Sequence, residues 1–125
     1  MFRIELQAPG MLYVETSGFW AEAEADRYVA ELQGHCAALR RTQGFALVLV
    51  DGRQGAVQSP QVMAKVADIQ SILIRDRRDR AAYVVPNNLA KLQAARLSTT
   101  RQLGIFTTVD EARAWLLAPA DQSAD

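Results

Sequence analysis

The chain has 125 residues, of which half are apolar and 22% are charged, a size and composition that favour one domain with a packed core. Fourteen lysines and arginines balance fourteen aspartates and glutamates, so the formal net charge is zero, and nonspecific nucleic-acid binding is disfavoured. The single cysteine excludes an internal disulfide bond, and one cysteine with one histidine cannot form a usual zinc site.

The N-terminal sequence alternates in polarity and lacks the basic start and apolar block of an export signal. The longest nearly apolar run, residues 45–50, is far shorter than the roughly 20 residues that a transmembrane helix needs. We therefore predict a cytoplasmic protein without a membrane span. Residues 1–117 are predicted to form one domain, and residues 118–125, rich in alanine, aspartate, glutamine and serine, a flexible C-terminal tail.

The first predicted elements are a hairpin and a long helix. Apolar residues alternate with charged ones from Phe2 to Leu6, a Pro-Gly pair supplies a turn, and residues 11–15 form a second strand. Residues 20–41 change to a helical period, with acidic residues near the start and two arginines at the end. Gly44 then allows the chain to turn.

The later elements alternate between strands and helices. The continuous apolar run at residues 45–50 is typical of a central strand that is covered on both faces. In chain order we predict a strand at 45–50, a helix from Ser59 to about Asp76, a strand at 81–85, a helix from Asn87 to about Arg101, a strand at 104–106 and a helix that begins after Thr108 in a capping box with Glu111.

The resulting order, β-β-α-β-α-β-α-β-α, predicts an α/β fold with a mixed, mostly parallel sheet and flanking helices. Three further features accompany it: Gly-Phe-Trp at residues 18–20, a strand that ends in Asp51, and the ending Ile-Phe followed by EARAWL at residues 111–116. Together these features resemble the STAS domains of bacterial anti-sigma-factor antagonists, and above all the stand-alone SpoIIAA-like proteins. The likeness spans residues 1 to about 117.

The resemblance implies a regulatory protein-interaction domain with an anti-sigma-like or other regulator as partner. In the antagonist family a serine or threonine at the start of the second helix is phosphorylated by a partner kinase, and Ser59 matches that position. Gln58 replaces the acidic neighbour of the family motif, and the glycine that follows in the family is absent. The residues alone also fit a plain serine N-cap, which stabilises a helix by roughly 1 kcal/mol. SpoIIAA-like proteins are also similar in fold to the CRAL-TRIO domains, which implies a small apolar, lipid-like ligand as the alternative.

A candidate ligand or partner loop follows the central strand at residues 51–58. It is longer than the roughly 2–6 residues usual in α/β units, and it leaves the carboxyl end of a strand, where ligands of open sheets bind. Asp51 and Arg53 either orient a polar ligand or partner group, or bond to each other and shape the turn. Gln58 belongs to the same loop. Asn87 follows another predicted parallel strand, so it is expected at the same edge of the sheet, and it also fits an N-cap.

No catalytic constellation is evident. His35 and Cys36 point about 100° apart on a helix, so Cys36 is predicted to join the core and His35 to lie at its edge. The sequence contains no glycine-rich nucleotide-binding motif. We therefore expect a protein that is not an enzyme and that has no metal and no cofactor. Zero net charge makes a homodimer plausible.

The charged run at residues 75–80 and the two tryptophans each allow two interpretations. The run at residues 75–80 has four arginines and two aspartates and is predicted to be solvated and paired within itself, with an acidic partner or phosphates as the alternative ligand. Trp20 and Trp115 are predicted to be packing residues. They would line an apolar pocket together if the first and last helices lay on the same side of the sheet.

Overall fold

The computed structural model describes residues 1–97 and 100–118 of the chain. Of the predicted tail, only Ala118 falls within these residues, and residues 119–125 lie outside them. In chain order the described elements are β1 (Phe2–Gln7), β2 (Met11–Gly18), α1 (Glu22–Gln43), β3 (Leu47–Gly55), α2 (Pro60–Val66), α3 (Ile69–Leu73), β4 (Arg80–Val84), α4 (Asn88–Leu97), β5 (Leu103–Phe106) and α5 (Val109–Leu116).

The five strands form one sheet in the order β1-β2-β3-β4-β5. β1 runs antiparallel to β2, and each later neighbouring pair is parallel. The predicted α/β class with a mixed, mostly parallel sheet is therefore confirmed. Because successive residues of a strand point to opposite sides, the central strands β2, β3 and β4 contribute to two packed faces of this sheet.

Helices α1, α2 and α3 cover the first face. Leu12 and Val14 of β2 lie in one buried cluster with Tyr28 and Leu32 of α1 and Val62 of α2. Cys36 belongs to the same cluster and has no solvent exposure, so the prediction that it is a core residue is confirmed.

Helix α5 covers the second face. The intervening residues of β2, Met11 and Tyr13, lie in another cluster with Leu49 of β3 and with Ala112 and Leu116 of α5. Each face thus has its own apolar core, separated by the sheet.

The two tryptophans lie on opposite faces of the sheet. Trp20 packs with Phe2 and Tyr28 at ring-centroid distances of 5.8 and 5.0 Å, on the first face. Trp115 packs with Phe106 on the second face, at 5.6 Å. The two tryptophans therefore do not line one pocket, because α1 and α5 pack on opposite faces of the sheet.

The predicted second helix is two short helices, so the order gains one element. α2 ends at Val66 and α3 at Leu73, earlier than the predicted end near Asp76. The Nη2 of Arg40 donates hydrogen bonds to the carbonyl oxygens of Ile72 and Leu73, at 2.8 and 3.2 Å. These carbonyls are thereby bonded to α1, which favours ending the helix there.

Strand β3 is longer than predicted. It continues through Gly55, and its residues Gln54 and Gly55 pair with Ser17 and Gly18 of β2 after a register shift. Most of the predicted loop at residues 51–58 is therefore strand, because β2 offers backbone partners that the sequence alone does not reveal.

The charged run at residues 75–80 is not wholly solvated, which corrects the prediction. Asp79 and Arg80 are buried. Asp79 accepts a hydrogen bond from the backbone N–H of Ala46 at 2.8 Å and pairs with Arg40 of α1 at 2.9 Å. Its ion-pair partner thus lies 39 residues away rather than within the run, although the backbone N–H groups of Arg75 and Asp76 also donate to its carboxylate.

Candidate functional site

An apolar pocket of about 240 Å³ opens on the first face, at the carboxyl ends of β2 and β3. The rings of Trp20 and Tyr28 lie on one side, and aliphatic side chains of α2 and α3 lie on another. The described residues that line it are Thr16, Ser17, Gly18, Trp20, Tyr28, Val50, Gly55, Ala56, Gln58, Val62, Val66 and Ile69.

The side chain of Gln58 forms hydrogen bonds that connect residues 18–20 with residues 56–58 beside this pocket. Its Oε1 accepts a hydrogen bond from the backbone N–H of Trp20 at 2.8 Å, and its Nε2 donates to the carbonyl of Gly18 at 2.8 Å. The same Nε2 donates to the carbonyl of Ala56 at 3.1 Å. One side chain therefore holds residues 18–20 against residues 56–58.

Large apolar side chains next to the residues that Gln58 holds together are exposed. Val57, which directly precedes Gln58, is 90% exposed. Phe19 is 67% exposed and lies between Gly18 and Trp20, the two residues whose backbone groups bond to Gln58. Met63, 54% exposed, follows the pocket residue Val62 on α2. We call Phe19, Val57 and Met63 the apolar rim. Val57 is an aliphatic residue within a polar segment, a usable signal for this rim, and it was not among the predicted site residues.

Ser59 is the N-cap of α2. Its Oγ accepts a hydrogen bond from the backbone N–H of Val62 at 3.2 Å, and its carbonyl accepts one from the N–H of Met63 at 2.9 Å. Pro60 occupies the first turn, where it needs no N–H partner. The N-cap interpretation of Ser59 is thus observed directly, at a half-buried position beside Gln58.

Asp51 and Arg53 bond to each other on the opposite face of the sheet. Arg53 donates to Asp51 through Nε at 2.9 Å and through Nη2 at 2.8 Å, and the hydroxyl of Tyr13 donates to the same carboxylate at 3.2 Å. The hydrogen bonds from Arg53 hold the pKa of Asp51 below its usual value despite burial of the carboxylate. Burial, together with the Asp51 charge, raises the pKa of Tyr13 to about 12.

The structure therefore separates the predicted site residues into three places. Gln58 lines the apolar pocket and Ser59 follows it in the chain as the N-cap of α2, whereas the Asp51–Arg53 pair lies on the second face. Asn87 caps α4, because its Oδ1 accepts from the N–H of Ala90 at 2.8 Å. Within residues 1–97 and 100–118, no group of three or more His, Cys, Asp or Glu side chains is arranged to hold a metal ion.

Comparison with solved structures identifies the fold. No protein-family model and no curated protein matches the chain. It does superpose on an uncharacterised DUF3478-family protein with a SpoIIAA-like fold from Shewanella loihica PV-4, with a TM-score of 0.64 and 16% sequence identity, covering 93% of this chain and 92% of that chain. The chain has a SpoIIAA-like fold. The predicted resemblance is thereby confirmed at the level of the fold.

The SpoIIAA-like fold places the apolar pocket and its rim at the carboxyl ends of β2 and β3. This is the end of an open α/β sheet at which ligands and partners generally bind. No helix among the described residues has the length and apolar character needed to cross a bilayer.

Proposed function

We propose that this SpoIIAA-like domain is a non-enzymatic regulatory module that binds a protein partner through the apolar rim. The observation that carries the proposal is the exposure of Phe19 and Val57 next to the hydrogen bonds of Gln58. Exposed apolar side chains are ordinary when scattered, but a group of them around a pocket is typical of an interaction site.

The rim is suited to binding because it is already ordered. Gln58 holds the backbone on both sides of Val57 and next to Phe19, so little conformational entropy remains to be lost on association. Complete burial of a Phe or Val side chain contributes about 1.5–3 kcal/mol. Two such residues would account for a large part of the free energy of a transient complex.

The test compares two double variants, each of which replaces two exposed apolar side chains by serine. Phe19→Ser with Val57→Ser removes the two most exposed side chains of the apolar rim, and Leu89→Ser with Leu92→Ser removes two leucines of α4 that are 66% and 62% exposed. Proteins cross-linked to the wild-type chain in its host are identified, purified and titrated against each form by calorimetry. We expect the rim variant to weaken binding about tenfold or more and the α4 variant to bind like wild type. Equal affinity of all three forms would contradict the proposal.

Phosphorylation of Ser59 is the proposed switch of this surface. A phosphoserine carries a charge of about −1.5 to −2, which opposes burial of the neighbouring apolar rim in an interface. Ser59→Glu should therefore weaken partner binding, while Ser59→Asn, which keeps a cap without charge, should not. If Glu and Asn change the affinity equally, the effect comes from the lost serine and not from charge.

A small apolar ligand in the pocket is the second candidate. The lining by Trp20, Tyr28 and aliphatic residues favours it, although about 240 Å³ is below the roughly 300–1,000 Å³ of common ligand sites. Native mass spectrometry of protein isolated from its host should then show a bound molecule, and Val66→Phe, which fills the pocket, should remove it. Loss of that molecule without loss of partner binding would assign the two functions to separate features.

A further inference from the structure

A second, larger groove lies at the other end of the sheet. Its volume is about 790 Å³, and it is bordered by the first residues of two parallel strands, Leu47 of β3 and Arg80 of β4. Among the described residues the lining combines cations with apolar side chains, chiefly Arg77, Arg78, Arg80 and Arg101 with Phe45, Leu47, Leu116 and Leu117.

The groove concentrates positive charge in a protein whose formal net charge is zero. None of the described lining residues is acidic. Asp79, the buried carboxylate of the same segment, is bonded to Arg40 and to the backbone N–H of Ala46 instead. Within the described part of the chain, no carboxylate of the lining therefore neutralises Arg77 or Arg101.

Two of these arginines help to build the wall. Arg80 donates through Nη1 to the carbonyls of Trp115 and Ala118, at 3.4 and 3.2 Å. Arg78 donates to the carbonyl of Gly44 at 3.1 Å, and its guanidinium lies 5.3 Å from the centre of the Phe45 ring. Both guanidinium groups thereby bring positive charge to the wall of the groove.

The other two arginines are available to a ligand. The side chains of Arg77 and Arg101 are exposed, and within the described chain neither forms a hydrogen bond or an ion pair. A guanidinium offers several N–H donors in a planar fork that matches carboxylate and phosphate oxygens.

We propose that this groove binds a small organic anion, with a carboxylate or phosphate head at Arg77 and Arg101 and an apolar body against Phe45 and Leu117. Charge complementarity selects the head group, and the apolar floor stabilises the body by removing it from water. The volume lies within the range of common small-molecule sites. The proposal is independent of the apolar rim, since the two features lie at opposite ends of the sheet.

The test is a calorimetric titration of the full chain with four probes: octyl phosphate, octanoate, octanol and inorganic phosphate. We expect octyl phosphate or octanoate to bind more tightly than both octanol and inorganic phosphate, because only the first two carry a charged head and an apolar body. The tighter of the two identifies the head group as phosphate or carboxylate.

Single variants locate the site. Arg77→Gln and Arg101→Gln should each weaken binding of the better probe about tenfold, the effect of losing one charge-assisted contact. Arg96→Gln removes an equal charge from the exposed surface of α4, which is not part of the groove, and should leave the affinity unchanged. Val66→Phe, in the apolar pocket, should also leave it unchanged.

Several results would overturn the proposal. Binding of octanol as tight as that of the anions would show that charge plays no part, and absence of binding by either anion would show that no such site exists. Equal weakening by Arg77→Gln and Arg96→Gln would indicate diffuse electrostatic attraction. Loss of binding in Val66→Phe would place the ligand in the apolar pocket.

Discussion

The carboxylate of Asp79 lies 2.9 Å from Nη2 and 3.1 Å from Nε of Arg40, at a position without solvent exposure. The backbone N–H groups of Ala46, Arg75 and Asp76 also donate to it. Burial by itself acts to raise the pKa of Asp79, but these hydrogen bonds outweigh it and lower the pKa below the usual value. One side chain thus ties α1 to the segments that precede β3 and β4.

Asp79→Asn should destabilise the fold strongly. The amide cannot neutralise Arg40, whose side chain is only 20% exposed, and breaking a buried ion pair costs about 3–5 kcal/mol. Urea unfolding should therefore show a loss of about 3 kcal/mol. Asp68→Asn is the matched control, because Asp68 is exposed and its side chain does not cap α3, and it should change stability by less than about 0.5 kcal/mol. Similar losses in both variants would contradict the assigned role of Asp79.

Stability should decline in acid because of Asp51 and Asp79. The folded state lowers the pKa of both carboxyls, whereas the unfolded value is about 3.9. The unfolded chain therefore binds more protons in acid, and the stabilisation present above about pH 4 is lost as the pH falls through the folded pKa values. The free energy of unfolding, measured by urea between neutral pH and pH 3, should fall less steeply in Asp51→Asn than in wild type. If the free energy of unfolding falls equally steeply with pH in both proteins, Asp51 does not contribute to the loss of stability in acid.

The tyrosines should ionise late in the folded protein. Burial raises the pKa of Tyr13 and Tyr83 to about 12 and raises that of Tyr28 as well. Their neutral forms stabilise the fold below the unfolded pKa of about 10, and this contribution is lost as the pH rises toward the folded values. Tyrosinate absorbance should therefore be small at pH 10 in the native protein and about half-maximal in urea. Coincident titration curves would be inconsistent with the burial of these rings.

The Ser59 cap should contribute measurably to stability. Ser59→Ala leaves the backbone N–H of Val62 without its side-chain acceptor, and loss of such a cap costs about 1 kcal/mol. Ser59→Asn restores an acceptor and should recover most of the loss in thermal unfolding. An alanine variant as stable as wild type would mean that water replaces the cap at no cost.

Local features of the fold were predictable from the sequence. The hairpin, the αL turn at Gly44 with φ of 88°, and the N-caps at Ser59, Asn87 and Thr108 all follow the sequence signals. In the predicted capping box the carboxylate of Glu111 accepts from the hydroxyl of Thr108. Each of these depends on residues within a few positions of one another, so the side chains that make the structure are adjacent in the sequence. The element order built from them, together with the sequence features at residues 18–20, at Asp51 and at residues 111–116, indicated the SpoIIAA-like fold.

The site was less predictable because its contacts join distant segments. Gln58 reaches residues 38 and 40 positions earlier in the chain, and Tyr13 reaches Asp51 across 38 positions. Periodicity places such residues on elements but does not say which elements meet. For the same reason the run at residues 75–80 was predicted to be solvated and paired within itself, and Arg101 was not connected with it.

Apart from the division of the second helix, the order of strands and helices follows from the sequence, since hydrogen bonding at helix ends and the spacing of apolar residues are local. Three features depend on tertiary contacts instead: α5 packs on the second face, β3 continues to Gly55, and Asp79 is buried against Arg40. These outcomes depend on which surfaces remain uncovered once the sheet has formed. They are set by packing between residues far apart in the chain.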